Sequence, residues 1–401
     1  FSSHYLCAQK MHIVDGLVFE QYDHEYNLSH NHIFCFIKDS KGFLWLGTPE
    51  GANVLDGNSV KNYKGYLNKG NTFKGKIVHS LFEDSQENVF CGTKAYGLNI
   101  FNRSLGDFIN INDELLSNAL SKSIISIIEI EKQSYALLTE KEIIFFNLDE
   151  NLKVLDASRM EISLIDNEYT RKLLFYKKAI YLNTNKRLIK ITNGNQKQIY
   201  AQKWLKDCKI RNNRLWVNAD ASVGYFNESL EKVTWLEYDL PKGPDGEKDY
   251  YLDFDVSANN EIWLGSKFKL IHLKLNENFK LTYTKEIEGK VRINNILIDS
   301  LNNIFLSTSH RQGLIKIDAR QHQYNYIKLP KGYEKEYRHN FTEDYNGIYW
   351  ISGNTGVFRY NTKTNSYKKF KNAETKILWQ DLYKTDVAVL CSRTERNNRR
   401  F

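Results

Sequence analysis

Proline is nearly missing from this chain: there are four in 401 residues, and Pro241, Pro244 and Pro330 stand between stretches that read as strands. Proline fixes φ and removes a backbone donor, so this placement marks loops and leaves the rest free for hydrogen-bonded ladders. Cysteine is scarce as well. Cys7, Cys35, Cys91, Cys208 and Cys391 are scattered, odd in number and form no CxxC, which argues against a disulfide scaffold or a paired-cysteine zinc site. Cys35 and Cys91 lie among apolar neighbours, where a thiol behaves as a small hydrophobe. No apolar run reaches the ~18 residues of a membrane-spanning helix; the best candidate, Ile124 to Ile130, is broken by Ser126 and Glu129 and reads as a strand. There is no nucleophile elbow, phosphate-binding glycine loop, HExxH or carboxylate pair at a defined spacing. No catalytic residue, cofactor or metal is therefore expected, and the segment is read as non-enzymatic.

What is abundant is aromatic: 25 Tyr and 22 Phe in a chain that is 41% hydrophobic, a composition that favours strands. The formal charge of +8 does not point to nucleic acid, because Lys and Arg are spread along the whole chain and interleaved with 48 acids. The first ten residues, FSSHYLCAQK, have the character of the end of a secretory signal, with Leu6 and Ala8 at the −3 and −1 positions; the alternative is a frayed terminus.

The chain is organised around Ile33 to Asp56. Ile33, Phe36 and Ile37 make a short apolar run, Asp39-Ser40-Lys41-Gly42 a turn, Phe43 to Leu46 a second strand, and Gly47 to Gly51 a turn into a third strand at Ala52 to Leu55. Asn58 to Tyr63 supplies a fourth. Residues aligned with Trp45 recur at Phe90, Ala136, Tyr181, Trp216, Trp263, Phe305 and Trp350, with spacings from 35 to 47 residues, which is a propeller-blade period. Asp-Ser returns at Asp84-Ser85 and Asp299-Ser300. An outer strand recurs as Val60/Tyr63, Phe108/Ile111, Trp235/Tyr238, Tyr324/Ile327 and Tyr367/Phe370. The fold class expected is all-β: a propeller of four-stranded antiparallel blades.

Gly16 to Asp23 carries Phe19 and Tyr22 at outer-strand spacing with no inner strands before them. Such an orphan closes a ring by pairing with the last blade and removing an open edge. Eight units are visible. Seven blades closed near Asp318, followed by the start of a second propeller, is the expected count, and a single eight-bladed ring is the alternative. The domains expected are residues 1–15 as a signal remnant or extension, 16–330 as the first propeller with its closure strand, and 331–401 as one blade and a fragment of the second.

The text NLSHNHIFCFIKDSKGFLWLGTPEGANVLDG, with DSQENVFCGT, NNEIWLGS, DSLNNIFLST and DYNGIYWISG, resembles the two-component-regulator propeller repeat. That repeat builds the periplasmic sensor region of hybrid two-component histidine kinases of gut Bacteroidetes-type bacteria. The resemblance implies two seven-bladed propellers ahead of an immunoglobulin-like domain, a membrane helix and a kinase core. It also implies a homodimer in the full-length protein, a periplasmic location as part of an inner-membrane protein, membrane contact only through a downstream helix, and a role in sensing glycan breakdown products. A propeller enzyme acting on polysaccharide and a plain interaction scaffold are the alternatives.

Within a propeller, the loops entering the inner strands and those joining second and third strands share one face. Read unit by unit, the joining loops offer Glu50, Lys94 beside Tyr96, Glu140-Lys141, Lys186-Arg187, Asp220, Lys267, and His310-Arg311, and the entering loops add His32, Lys76 and Arg292. This balance is basic. The ligand-binding residues expected are His32, Lys76, Lys94, Tyr96, Lys267, Arg292, His310 and Arg311, converging on an anionic oligosaccharide. His30 and His32 share a face of an extended segment, but no third metal ligand is identifiable. Trp45, Trp263 and Trp350 stand where blades need a large packing residue, so they are read as core and not as a sugar platform.

Overall fold

A computed structural model describes residues 10–14, 17–57, 59–65, 73–111, 114–116, 123–201, 204–219, 222–237, 251–266, 269–288, 292–308, 312–318, 338–343, 348–353, 356–361, 364, 366–371, 375–380 and 387–391. Apart from one 3-10 turn at His24–Tyr26, the regular structure among them is entirely strand. The chain divides into two compact units, Phe1–Gln323 and Tyr324–Phe401.

In the first unit, blade 1 is an antiparallel sheet of Cys35–Lys38, Leu44–Thr48, Gly51–Leu55 and Val60–Tyr63 in that order. Blades 2 to 6 repeat this order over residues 78–111, 126–161, 170–201, 205–235 and 251–288. Blade 7 has three consecutive strands, Ile293–Ile298, Ile304–Thr308 and Leu314–Ile317. Its outer strand is Leu17–Tyr22, with Phe19 opposite Ile317 and Tyr22 opposite Leu314, and Lys10–Val14 adds a fifth strand outside it. Blade 7 then meets blade 1: the Lys38 ammonium lies 2.6 Å from Asp299, and the Asn295 amide donates to the Phe34 carbonyl at 3.2 Å. Seven blades thus close on themselves.

The recurrent Asp-Ser turn has a chemical reason. Asp39 Oδ1 accepts from the Lys41 and Phe43 amides at 3.0 and 2.8 Å, closing its own hairpin, and Asp84 and Asp299 do the same in their blades. The Ser faces the next blade: Ser40 donates through N and Oγ to Glu83 at 2.7 and 2.8 Å, and Ser85 repeats this on Glu129. Asp39 Oδ2 also accepts from Trp45 Nε1 at 2.7 Å and from Arg103 of blade 2 at 2.6 Å. One carboxylate therefore fixes a turn, orients a core indole and ties two blades.

The core lies between blades. Trp45 packs against Phe101 and Phe108 of blade 2 at ring distances of 5.0 and 6.1 Å. Trp216 and Trp263 are buried as well, as their strand positions require. Burying one such indole removes about 200 Å² from water, on the order of 5 kcal/mol before entropy. Cys35, Cys91 and Cys208 are free thiols in this packing, and burial pushes that of Cys35 up to about 12.

The second unit holds a four-stranded sheet over residues 338–371 and a two-stranded one of Thr375–Gln380 with Val387–Cys391. Ile351 and Phe358 are buried in it, and Trp350 stacks on Phe370. Pro330, the expected boundary, lies outside the described residues, as do Tyr324 and Ile327.

Candidate ligand-binding face

Hydrogen bonds place the entering loops and the second-to-third-strand loops at one end of the ring. The Ser29 amide donates to Asn53 and its hydroxyl meets that of Thr48; the Lys94 amide donates to the Ile77 carbonyl at 2.9 Å. Inner strands from all seven blades line a central channel of about 670 Å³ behind this face.

Blades 1 and 2 gather part of the expected set. The His32 ring lies 4.6 Å from that of Phe34, which in turn lies 4.9 Å from that of His79. His79 Nδ1 is 2.9 Å from Ser123 Oγ, and Lys94 bridges the Ser123 backbone. Burial first, and then the Lys94 charge, lower the His79 pKa and hold its imidazole neutral. Lys76, Lys94 and Tyr96 are exposed on this arc, and Arg292 is exposed where blade 7 begins. Lys267, His310 and Arg311 lie outside the described residues. At blade 4 part of the basic character is spent internally. Arg187 binds Glu168, whose side chain is fully buried, and Lys186 donates to the Asp166 carbonyl.

A cleft of about 740 Å³ opens on the same face between blades 4 and 5, and sequence reading missed it. Ile165, Asn167, Tyr169, Asn185, Gln198 and Trp204 are among the residues that line it. Tyr169 and Trp204 remain 53% and 51% exposed, unlike the core aromatics. Each directly precedes an inner strand, at Thr170 and Leu205, just as Arg292 precedes Ile293. Asn185 holds both. It exchanges bonds with the Tyr169 backbone through its own amide N–H and its side-chain Oδ1, at 3.1 and 2.8 Å, and its carbonyl accepts from the Leu205 amide at 3.0 Å. Trp204 itself adopts φ +66°, a left-handed conformation that costs a bulky residue free energy.

Within the channel a charge network links blades 4 to 7. Lys172 lies 3.0 Å from Asp207, Lys209 lies 3.0 Å from Asp253, and Lys209 also donates to the Ile296 carbonyl at 3.0 Å. Asp253 accepts from the Ile296 amide at 2.7 Å, and Arg211 makes a two-pronged contact with Asp255 at 2.7 and 3.0 Å. Burial, together with the nearby Asp207 charge and against the pull of Lys209, raises the Asp253 pKa to about 7. Burial acts the same way on Asp207, but Lys172 and Lys209 overcome it and lower its pKa. The two carboxyls behave as a pair that shares one proton at mildly acidic pH. These charges thus pair with one another across blades 4 to 7.

Residues 27–50 match the family model described as two component regulator propeller. The matched stretch leads into and forms the first strands of blade 1. The resemblance read at Leu28 to Asp56 is thus matched from Leu28 to Glu50. Among solved structures, the extracellular domains of two hybrid two component systems of B. thetaiotaomicron share the fold. One has a TM-score of 0.60 at 16% identity, covering 93% of this chain and 52% of its own; the other has 0.58 at 15%, covering 93% and 51%. The chain thus spans about half the length of those extracellular domains. Virginiamycin B lyase from Staphylococcus aureus also shares the fold, with a TM-score of 0.55 at 13% identity, covering 75% of this chain and 98% of the lyase. No curated protein matches the sequence.

Proposed function

We propose that this chain is part of the periplasmic sensor region of a hybrid two-component system, a ligand-recognition module that responds to glycan breakdown products and does no chemistry on them. The observation that carries the reading is the aromatic-bordered cleft on the loop face of a closed ring whose first blade matches the regulator-propeller model. Its wall offers rings and amides, which recognise and orient, and no described pair of side chains there forms a nucleophile with its base. The location as an ectodomain, dimerisation in the longer protein and a downstream kinase belong to this same reading and rest on the likeness to the B. thetaiotaomicron domains. The first ring, closed by Leu17–Tyr22, is the recognition unit, and residues after it begin a second propeller.

A screen of glycan oligosaccharides tests this, with each mixture examined both for a rise in melting temperature and for released products. A shift without products is expected. Products would identify a propeller enzyme, and neither signal with any glycan would leave only a scaffold.

A further inference from the structure

We infer that the cleft between blades 4 and 5 is a subsite for an uncharged saccharide, with Trp204 and Tyr169 as stacking platforms and Asn185 as the residue that positions them. This deepens the proposed sensor function and rests on it, and it moves the ligand away from the basic arc of blades 1 and 2.

The two rings are held as platforms. The Arg171 guanidinium lies 5.0 Å from the Tyr169 ring centroid and also donates to the Tyr169 hydroxyl at 2.7 Å, while the Lys206 ammonium lies 5.7 Å from the Trp204 ring. Each ring therefore has a cation beside it, which restrains it where it borders the cleft. Flat apolar faces of this kind suit the C–H faces of a pyranose, and the amides of Asn167 and Gln198 supply donors and acceptors for hydroxyl groups.

The hydrogen bonds around the cleft suit a ligand that needs no counter-charge. Arg187 Nη2 is committed to Glu168 and to the Ser163 carbonyl, Lys186 to the Asp166 carbonyl, and Arg171 to Tyr169. Only Arg187 among them is paired with a carboxylate; Lys186 and Arg171 donate to uncharged oxygens and keep their charge. A neutral sugar would leave all of these bonds in place.

The backbone at Trp204 points to a built feature. A half-exposed tryptophan held at φ +66° carries a backbone cost that glycine would not. Such strain is kept where a side chain has to be presented. The linker that presents it is short: blade 4 ends at Ala201 and blade 5 begins at Leu205. Asn185, buried at the centre, ties the Tyr169 loop and the Leu205 strand together, so it acts on the ligand through the two rings.

The test is calorimetric titration with neutral hexasaccharides of glucan, xylan, mannan, galactan and arabinan, and with an oligogalacturonide of the same length, at low and high salt. The proteins are the wild type, Trp204→Ala, Trp204→Phe, Trp204→Gly, Tyr169→Ala and Lys94→Ala. The expected result is a neutral ligand whose affinity ignores salt, falls about tenfold in Trp204→Ala and in Tyr169→Ala, is largely kept in Trp204→Phe, and is unchanged in Lys94→Ala. Trp204→Gly should lose the same affinity while raising the melting temperature by about 2 °C, a readout that a merely structural tryptophan would reverse. Neutral binding that ignores Trp204 and Tyr169 overturns the subsite and leaves the sensor function standing. Binding of the oligogalacturonide alone, weakened by salt and by Lys94→Ala, overturns it in favour of the basic arc. No saccharide binding at all overturns both.

Discussion

Gly313→Ala is expected to destabilise the first unit by about 3 kcal/mol, whereas Gly106→Ala should cost about 1 kcal/mol. The two glycines have nearly the same backbone, φ +68° and +65°, so the intrinsic penalty of an L side chain there and the gain from a stiffer unfolded chain cancel in the comparison. Their surroundings differ. A Cβ at Gly106 meets nothing within 4 Å, but at Gly313 it would stand 2.1 Å from the carbonyl oxygen of Tyr22, the last residue of the closing strand. Blade 1 shows what this position is for: a Cβ on Gly51 would stand 2.1 Å from the Tyr63 carbonyl, the equivalent contact made within one continuous blade. Tyr22 fills in blade 7 the place that Tyr63 fills in blade 1. Urea midpoints of the two variants measure the difference, and equal losses would mean that closure contributes little.

Lys209→Met is the second large effect. The ammonium is 3.0 Å from Asp253 and within 3.9 Å of Asp207, and the side chain that carries it is almost wholly buried. Burial works against its charge, yet Asp253, Asp255 and Asp207 hold its pKa above the ordinary value. Removing it leaves buried carboxylates without their counter-charge, a loss of about 3–5 kcal/mol, and adding Asp253→Asn should recover part of it. A loss below about 1 kcal/mol would show that Lys172 and water suffice. The same network gives a pH signature. Asp253 titrates near 7 in the folded chain against about 3.9 unfolded, so between those values only the folded state holds the proton. Its stabilising contribution is complete below the unfolded value and is lost as pH rises towards 7, at no more than about 1.4 kcal/mol per pH unit. The stability difference between wild type and Asp253→Asn should therefore fall from pH 5 to 7 and flatten above 8; parallel curves would contradict the assignment.

The parts of this molecule that were legible in the sequence are those where a side chain solves a local backbone problem in every blade. Asp39 closes its own turn and Trp45 fills the gap to the next blade, so both recur in register. Phe19 and Tyr22 were readable as an outer strand for the same reason. The charge network was not legible, because its partners stand far apart in sequence, 35 residues for Lys172 with Asp207 and 44 for Lys209 with Asp253. Each of them reads alone as an ordinary polar strand position.

The rim cleft escaped for a different reason: rim loops are free of the packing that enforces repetition, so Tyr169 and Trp204 have no periodic signal. One clue was present. The spacing from Tyr181 to Trp216 is the shortest between units, because the link from Ala201 to Leu205 is short, and that link carries Trp204. The basic balance that pointed instead to an anionic ligand counted Lys186 and Arg187 as available. Counting charges by loop cannot see that Glu168 already neutralises Arg187.

The central claim is that the first ring is complete in itself, closed by its own N-terminal strand. Limited proteolysis of the monomer followed by mass spectrometry tests it most directly, because cleavage follows local opening. Early cuts after Asp318 and a resistant fragment beginning before Leu17 and ending near Asp318 are the result expected from the pairing of Leu17–Tyr22 with Leu314–Ile317. Uniform resistance through residue 401, or a fragment that loses Leu17–Tyr22 while the blades stay intact, would contradict it.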